Sequence, residues 1–98
     1  MSKLESSLET TFNGEAAKRG FLSLKITVVA KRGFPDRTVI GKTGHIFFVE
    51  LKRFGKEPQR HQIWWHKLLR RIGFRVYVCD NKEQAIQILD TEAKMARA

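Results

Sequence analysis

The stretch IFFVEL, from Ile46 to Leu51, constrains the fold more than any other feature of this sequence, because only Glu50 interrupts its apolar residues. Apolar side chains at both odd and even positions predict a strand that is buried on both faces and lies inside a sheet. An unpaired charge in a dry interior costs several kcal/mol or more, so Glu50 needs a partner. Lys52 shares the face of Glu50, because side chains two residues apart point the same way, about 7 Å apart.

The rest of the chain supplies the elements around this strand. Periodicity and stop signals predict, in chain order, a helix from about Leu4 to Arg19, strands over Phe21–Ala30, Asp36–Ile40 and Ile46–Leu51, a helix over Gln59–Ile72, a strand over Phe74–Cys79 and a short C-terminal helix. Asp80 is the candidate cap of that last helix, and we expect the tail after about residue 90 to be loosely ordered. The order predicts one α/β domain over residues 1–98, a small mixed sheet flanked by helices, since a strand–helix–strand connection favours parallel pairing.

A hairpin brings a second carboxylate towards Glu50. If GKTG, residues 41–44, forms the turn, Asp36 lies opposite Val49, one step from Glu50. Two carboxylates at the open end of an apolar hairpin repel each other unless a cation lies between them, and a hard divalent ion suits such oxygen ligands. Lys52 beside them suits a negatively charged substrate. Only a bulge or a twist would bring Asp36 to the face of Glu50, and the residues alone leave that open.

The net charge of +9 is concentrated in two stretches. Eight Lys or Arg and one acid lie between Lys52 and Arg75, and six Lys or Arg and one acid lie between Lys18 and Arg37. Such fields favour a polyanion, most often nucleic acid, although a basic surface that only aids solubility is the alternative. No apolar run approaches a membrane span and no signal-peptide pattern is present, so we expect a soluble, intracellular protein without a membrane partner.

The pattern GFPDRTVIGKTGHIFFVELK, followed by Gln62, Trp65 and Gly73, resembles the virus-type replication-repair nuclease (VRR-NUC) domain of the PD-(D/E)xK nuclease superfamily. Asp36 with the proline before it is similar to the PD element, and Glu50-Leu51-Lys52 is similar to the ExK element. The resemblance covers roughly residues 8–90, including the strand FRVYV and the segment NKEQAIQIL. One departure concerns the start of the second helix: many members carry Pro two residues before the Gln, where this chain has Arg60.

The resemblance implies a restriction-endonuclease-like core with a site for Mg²⁺ or Mn²⁺. The implied metal ligands are Asp36, Glu50 and the backbone carbonyl of Leu51. Lys52 would orient or activate the attacking water and offset charge on the scissile phosphate. Glu9 would reach the site from the first helix, directly or through water, and Gln62 would position site groups or the phosphate. Besides these, the cationic residues near the site are candidate phosphate contacts, or plain solubilising charge: Lys25, Arg32, Arg37, Arg53 and Lys56.

Stand-alone members of the family imply a structure-specific endonuclease that acts as a homodimer on branched DNA, including four-way (Holliday) junctions. The implied setting is a bacteriophage or prophage replication and repair module in a bacterial cytoplasm, with no small-molecule cofactor. Two alternatives are a nucleic-acid-binding module that kept the fold and lost catalysis, and a basic structural or RNA-binding α/β protein without metal. The presence of Asp36, Glu50 and Lys52 disfavours the first alternative.

Overall fold

The computed structural model describes residues 3–97, and their side chains from residue 7 onward. The elements are helix α1 (Lys3–Lys18), strands β1 (Leu22–Leu24) and β2 (Arg37–Ile40), a 3-10 turn (Lys42–Gly44), strand β3 (Ile46–Leu51), helix α2 (Arg60–Arg71), strand β4 (Val76–Cys79) and helix α3 (Lys82–Arg97). This order confirms the predicted one. Among the described residues, no helix has the length and apolar character that a membrane span requires.

The sheet is mixed, as predicted, and β3 lies in its interior. The strand order is β1-β2-β3-β4, with antiparallel pairing of β1 to β2 and β2 to β3, and parallel pairing of β3 to β4. One face of β3 contributes Phe47, Val49 and Leu51 to the main core, which contains buried residues of α1 and α3. On the other face Phe48 packs with Leu69 of α2. Since side chains alternate along a strand, Glu50, two positions after Phe48, also faces α2.

The hairpin register differs by one residue from the prediction. The turn spans residues 41–45, and a 2.7 Å backbone hydrogen bond joins its first and last residues. Arg37, not Asp36, therefore pairs with Val49. Continuing the ladder by one pair sets Asp36 directly opposite Glu50. The two carboxylates thus face each other across the strands without a bulge.

The first predicted strand is shorter than expected. Only Leu22–Leu24 of this stretch forms a strand, and residues 25–36 form a loop, although the sequence of residues 25–30 favours β structure. The physical reason is the absence of a partner: β1 lies at the sheet edge, and its neighbour β2 begins only at Arg37, so the antiparallel pairing stops with Leu24 opposite Thr38. Strand propensity needs a neighbouring ladder to become a strand.

The last helix corrects two expectations. Asn81, rather than Asp80, caps α3, because its Oδ1 accepts a 2.8 Å hydrogen bond from the backbone N–H of Gln84. The helix continues to Arg97, so the tail after residue 90 is not loosely ordered in this structure. Its order has a cause that periodicity did not reveal: Glu92 is fully buried and accepts hydrogen bonds from His45, Arg75 and Tyr77.

Candidate active site

Two carboxylates meet at the end of the β2–β3 hairpin. The carboxyl groups of Asp36 and Glu50 lie within hydrogen-bonding reach of each other. Oδ2 of Asp36 also accepts a 2.7 Å hydrogen bond from the backbone N–H of Leu51. In an extended strand the N–H and C=O of one residue point to the same side, so the carbonyl of Leu51 faces Asp36 as well. The arrangement gathers oxygen atoms from both strands at one point.

The pair is electrostatically frustrated. Burial, together with the hydrogen bond and charge of Glu50, raises the pKa of Asp36 from 3.8 to about 7, although the Leu51 N–H and Lys52 act in the opposite direction. Two adjacent carboxylates that cannot both ionise readily are stabilised by a shared proton or by a cation. Because the candidate metal-ligand atoms at this point are all oxygens, the residues fit a hard divalent cation such as Mg²⁺ or Mn²⁺.

Helix α2 holds Glu50 in place. Glu50 is 1% exposed, and its Oε2 accepts a 3.1 Å hydrogen bond from Nε2 of Gln62. Oε1 of Gln62 in turn accepts a 2.8 Å bond from the backbone N–H of Gln59, the residue that caps the helix. Gln62 therefore both takes part in the cap of α2 and positions the carboxylate of Glu50.

His66 is a site residue that the sequence reasoning missed. Its Nε2 lies 3.2 Å from Oε1 of Glu50, and the side chain is buried. Burial, with a smaller effect of Arg70 and Lys52, lowers the pKa of His66 to about 4, so the ring is neutral near pH 7 and donates its Nε2–H to the carboxylate. The available signal was the four-residue spacing from Gln62, which places both side chains on one helix face.

Lys52 lies beside the carboxylates at the end of β3. Its backbone N–H donates a 2.8 Å hydrogen bond to the carbonyl of Cys79, which fixes this residue to β4. Its side chain is half-buried, and its charge lowers the pKa of Asp36. Within the part of the chain that the structure describes, no three or more His, Cys, Asp and Glu side chains cluster to hold a metal ion. A cation here would rely on Asp36, Glu50 and neutral oxygen atoms.

Glu9 and Arg37 form an ion pair on the opposite face of the hairpin. Oε2 of Glu9 lies 3.5 Å from Nη1 of Arg37, and this oxygen is buried without a hydrogen bond. Arg37 is 8% exposed and donates two hydrogen bonds to Ser23, so its side chain is engaged inside the fold, and its contact with phosphate stays a prediction. The reason is alternation: the residue after Asp36 in an extended segment points to the face that packs on α1.

Similarity to known proteins agrees with this geometry. The chain is 35% identical over 79 residues to the protein named "Putative nuclease p44" of Acyrthosiphon pisum secondary endosymbiont phage 1, and the match covers 81% of this chain and 85% of that protein. A solved structure described as a VRR-NUC domain matches with a TM-score of 0.85 at 27% identity, covering 91% of this chain and 97% of that one. The chain belongs to the VRR-NUC family. No family model matches the sequence, so membership rests on these two likenesses.

The loop before Asp36 packs against α2 of this VRR-NUC chain. A Cβ on Gly33, whose φ is +98°, would lie 2.7 Å from the ring and 2.8 Å from the carbonyl oxygen of His61, so only glycine fits there. The carbonyl of Arg32 accepts a 3.0 Å hydrogen bond from Nε1 of Trp65. These contacts hold the loop so that Asp36 emerges towards Glu50.

The remaining predicted phosphate contacts lie on the surface around the VRR-NUC site. Lys25 and Arg32 line a cavity of about 550 Å³ together with Asp36 and Gln62. Arg53 and Lys52 line a second cavity, of about 350 Å³, and Lys56 is exposed in the following loop. Positive side chains therefore border the carboxylate pair on two sides, in contrast to the buried Arg37.

The raised pKa of Asp36 predicts a stability effect in the metal-free protein. The folded pKa of about 7 exceeds the unfolded 3.8, so this group favours folding most below pH 3.8, and the benefit is lost as pH rises towards 7. We expect metal-free Asp36→Asn to be more stable than the native chain at pH 7.5 by on the order of 1–2 kcal/mol, a value discounted for partial exposure. Urea unfolding in chelator at pH 4, 5.5 and 7.5 measures the difference. It should shrink towards zero at pH 4, and a difference independent of pH would contradict the electrostatic cause.

Proposed function

We propose that this VRR-NUC chain is a divalent-metal-dependent endonuclease that hydrolyses phosphodiester bonds in DNA. The observation that carries the proposal is the meeting of Asp36 and Glu50 beside Lys52, bordered by basic side chains. Two carboxylates that repel each other and a neighbouring ammonium suit a cation and an anionic phosphate together. A basic binding surface alone would not require two carboxylates to be held at such an electrostatic cost.

The proposed role of each residue follows from its place in the site. Asp36, Glu50 and the carbonyl of Leu51 would hold Mg²⁺ or Mn²⁺. Such an ion, when bound, polarises the phosphate and makes water a better nucleophile. Lys52 stabilises the extra negative charge that develops on the phosphate in the transition state and orients the attacking water.

The supporting residues keep these groups in place. Gln62 and His66 fix both oxygens of Glu50 through hydrogen bonds. Glu9 is the remaining candidate, and its contact with Arg37, the neighbour of Asp36, ties helix α1 to the site. Four exposed cations would contact backbone phosphates, since such contacts position DNA without reading its sequence: Lys25, Arg32, Arg53 and Lys56.

We further propose branched DNA, such as a four-way junction, as the substrate and a homodimer as the active form. A chain of 98 residues has little surface with which to recognise a junction, and two symmetric cuts require two sites. The similarity to a protein of a bacteriophage supports a role in phage DNA replication or repair within the cytoplasm of a bacterial host.

A cleavage assay tests this function. The protein is incubated with labelled linear duplex and with a four-way junction of the same sequence, with Mg²⁺, with Mn²⁺ or with chelator, and its size is measured by light scattering. We expect junction cleavage that requires either ion and stops with chelator, and a particle of two chains. Binding without cleavage under all metal conditions would support the nucleic-acid-binding module that lost catalysis. Absence of both binding and cleavage would refute the proposal that the protein is an enzyme acting on DNA.

A further inference from the structure

Phe54 is exposed to solvent next to the candidate site, although burial of an apolar ring is the more favourable arrangement. All ten aromatic residues lie in the part of the chain whose side chains are described, and only Phe54, at 75%, and Trp64, at 46%, are exposed. Trp64 already has neighbours, because the ammonium of Lys31 lies 4.0 Å from its ring centroid and Trp65 packs against it edge to face. Phe54 forfeits the free energy that burial of its ring would bring.

The backbone presents this ring on a defined turn. The N–H of Lys56 donates a 2.9 Å hydrogen bond to the carbonyl of Arg53, which closes a four-residue turn with Phe54 at its second position. Gly55, at the third position, has a φ of +80°, and a type II turn requires a positive φ there. The N–H of Gly55 also donates a 3.1 Å hydrogen bond to Oδ2 of Asp80. The ring is therefore held at the apex of an anchored loop.

The surroundings of Phe54 are cationic. Phe54 follows Lys52 by two residues, and both line the cavity of about 350 Å³ that Arg53 and Lys82 also border. Asp80 contributes one carboxylate to the same lining, so three cations there face one acid. A nucleotide combines an anionic phosphate with a flat apolar base, and this cavity offers both complementary groups within a few residues. An apolar protein partner would instead have to cover these cations without neutralising them.

We propose that Phe54 stacks on an unpaired or unstacked DNA base beside the scissile phosphate. The proposal rests on the proposed function and deepens it, because it names the part of the substrate that this loop contacts. Bases within a continuous duplex are already stacked on both faces, whereas a branch point or a gap exposes base faces at low cost. Phe54 therefore favours DNA with a disrupted stack, in any sequence, since every base has a π face.

A protein–DNA double-mutant cycle tests the contact. Phe54→Ala, Phe54→Leu and Phe54→Trp are compared with the native chain on junctions that carry one abasic position, moved through the nucleotides flanking the cut. Affinity is measured in chelator, so that no cleavage occurs, and cleavage rate is measured with metal. Stacking predicts that Phe54→Ala weakens binding about 10-fold to 100-fold, that Trp restores it and that Leu does not.

The coupling energy between the Phe54 substitution and the abasic substitution in the DNA tests the stacking contact. At the stacked nucleotide we expect the abasic substitution and Phe54→Ala to cost no more together than either alone. Full additivity at every position, or equal binding by the Leu variant, would overturn the stacking proposal while cleavage by the native chain still upheld the nuclease. A change of particle size in Phe54→Ala would assign the ring to a chain–chain contact instead. A native chain that neither binds nor cuts DNA would overturn both proposals.

Controls separate this effect from folding. Phe54 is exposed, so its truncation should leave the thermal midpoint within a few degrees of the native value. Ile72, which is 62% exposed at the far end of α2, provides the matched apolar change, and Ile72→Ala should leave affinity and cleavage at native levels.

Discussion

Asp36→Asn is expected to reduce DNA cleavage by about 10³-fold or more, because it removes one of the two charges that would hold the cation. The amide keeps the size of the side chain, and its oxygen can still accept the hydrogen bond from the backbone of Leu51. The fold should therefore persist. DNA affinity in chelator should change less than about 3-fold, since the surface cations that bind the backbone are untouched. Single-turnover cleavage and fluorescence anisotropy measure the two quantities.

Matched variants make this result specific. Asp90→Asn removes a carboxylate that is 56% exposed and pairs with Arg19, so its cleavage rate should equal the native rate. Lys52→Ala should reduce cleavage by about 10²-fold or more, whereas removal of the exposed Lys67 should have little effect. Retention of metal-dependent cleavage by Asp36→Asn would refute the assignment of the site.

Glu92→Leu is expected to produce the largest loss of stability. The carboxylate of Glu92 is fully buried and accepts hydrogen bonds from His45, Arg75 and Tyr77. Leucine fills a similar volume but leaves three donors without their acceptor, and breaking a buried pair on one side costs about 3–5 kcal/mol. In a domain of this size such a loss should lower the thermal midpoint by more than about 10 °C. Circular dichroism during heating measures the change.

The same helix offers the control. Glu83 is exposed near the start of α3, and Glu83→Leu should cost less than about 1 kcal/mol, mainly through the helix dipole. Below its melting transition Glu92→Leu should still cleave DNA, because His45 and Glu50 lie at opposite ends of β3. A Glu92→Leu midpoint equal to that of Glu83→Leu would show that the buried network contributes nothing.

Local patterns in the sequence determined most of the architecture. A continuous apolar run predicted the interior strand β3, and the four-residue spacing of Leu8, Phe12 and Ala16 predicted the buried face of α1, which the structure confirms. Leu4, which continues the same four-residue spacing, lies outside the described side chains. Asp36, Glu50 and Lys52 were identified as candidates because charge at the end of an apolar hairpin is costly and therefore conspicuous. Each of these inferences depends on neighbours in the chain, which a sequence displays directly.

Only the tertiary structure decided how distant residues meet. The hairpin register depends on a turn in which Thr43 has a φ of +56° and Gly44 of +77°, a choice that residue types permitted but did not compel. The burial of Arg37 and the contact of His66 with Glu50 depend on which helix covers which face of the sheet. The network around Glu92 likewise joins residues far apart in the chain, and its hydrogen bonds become favourable only after packing removes the competing water.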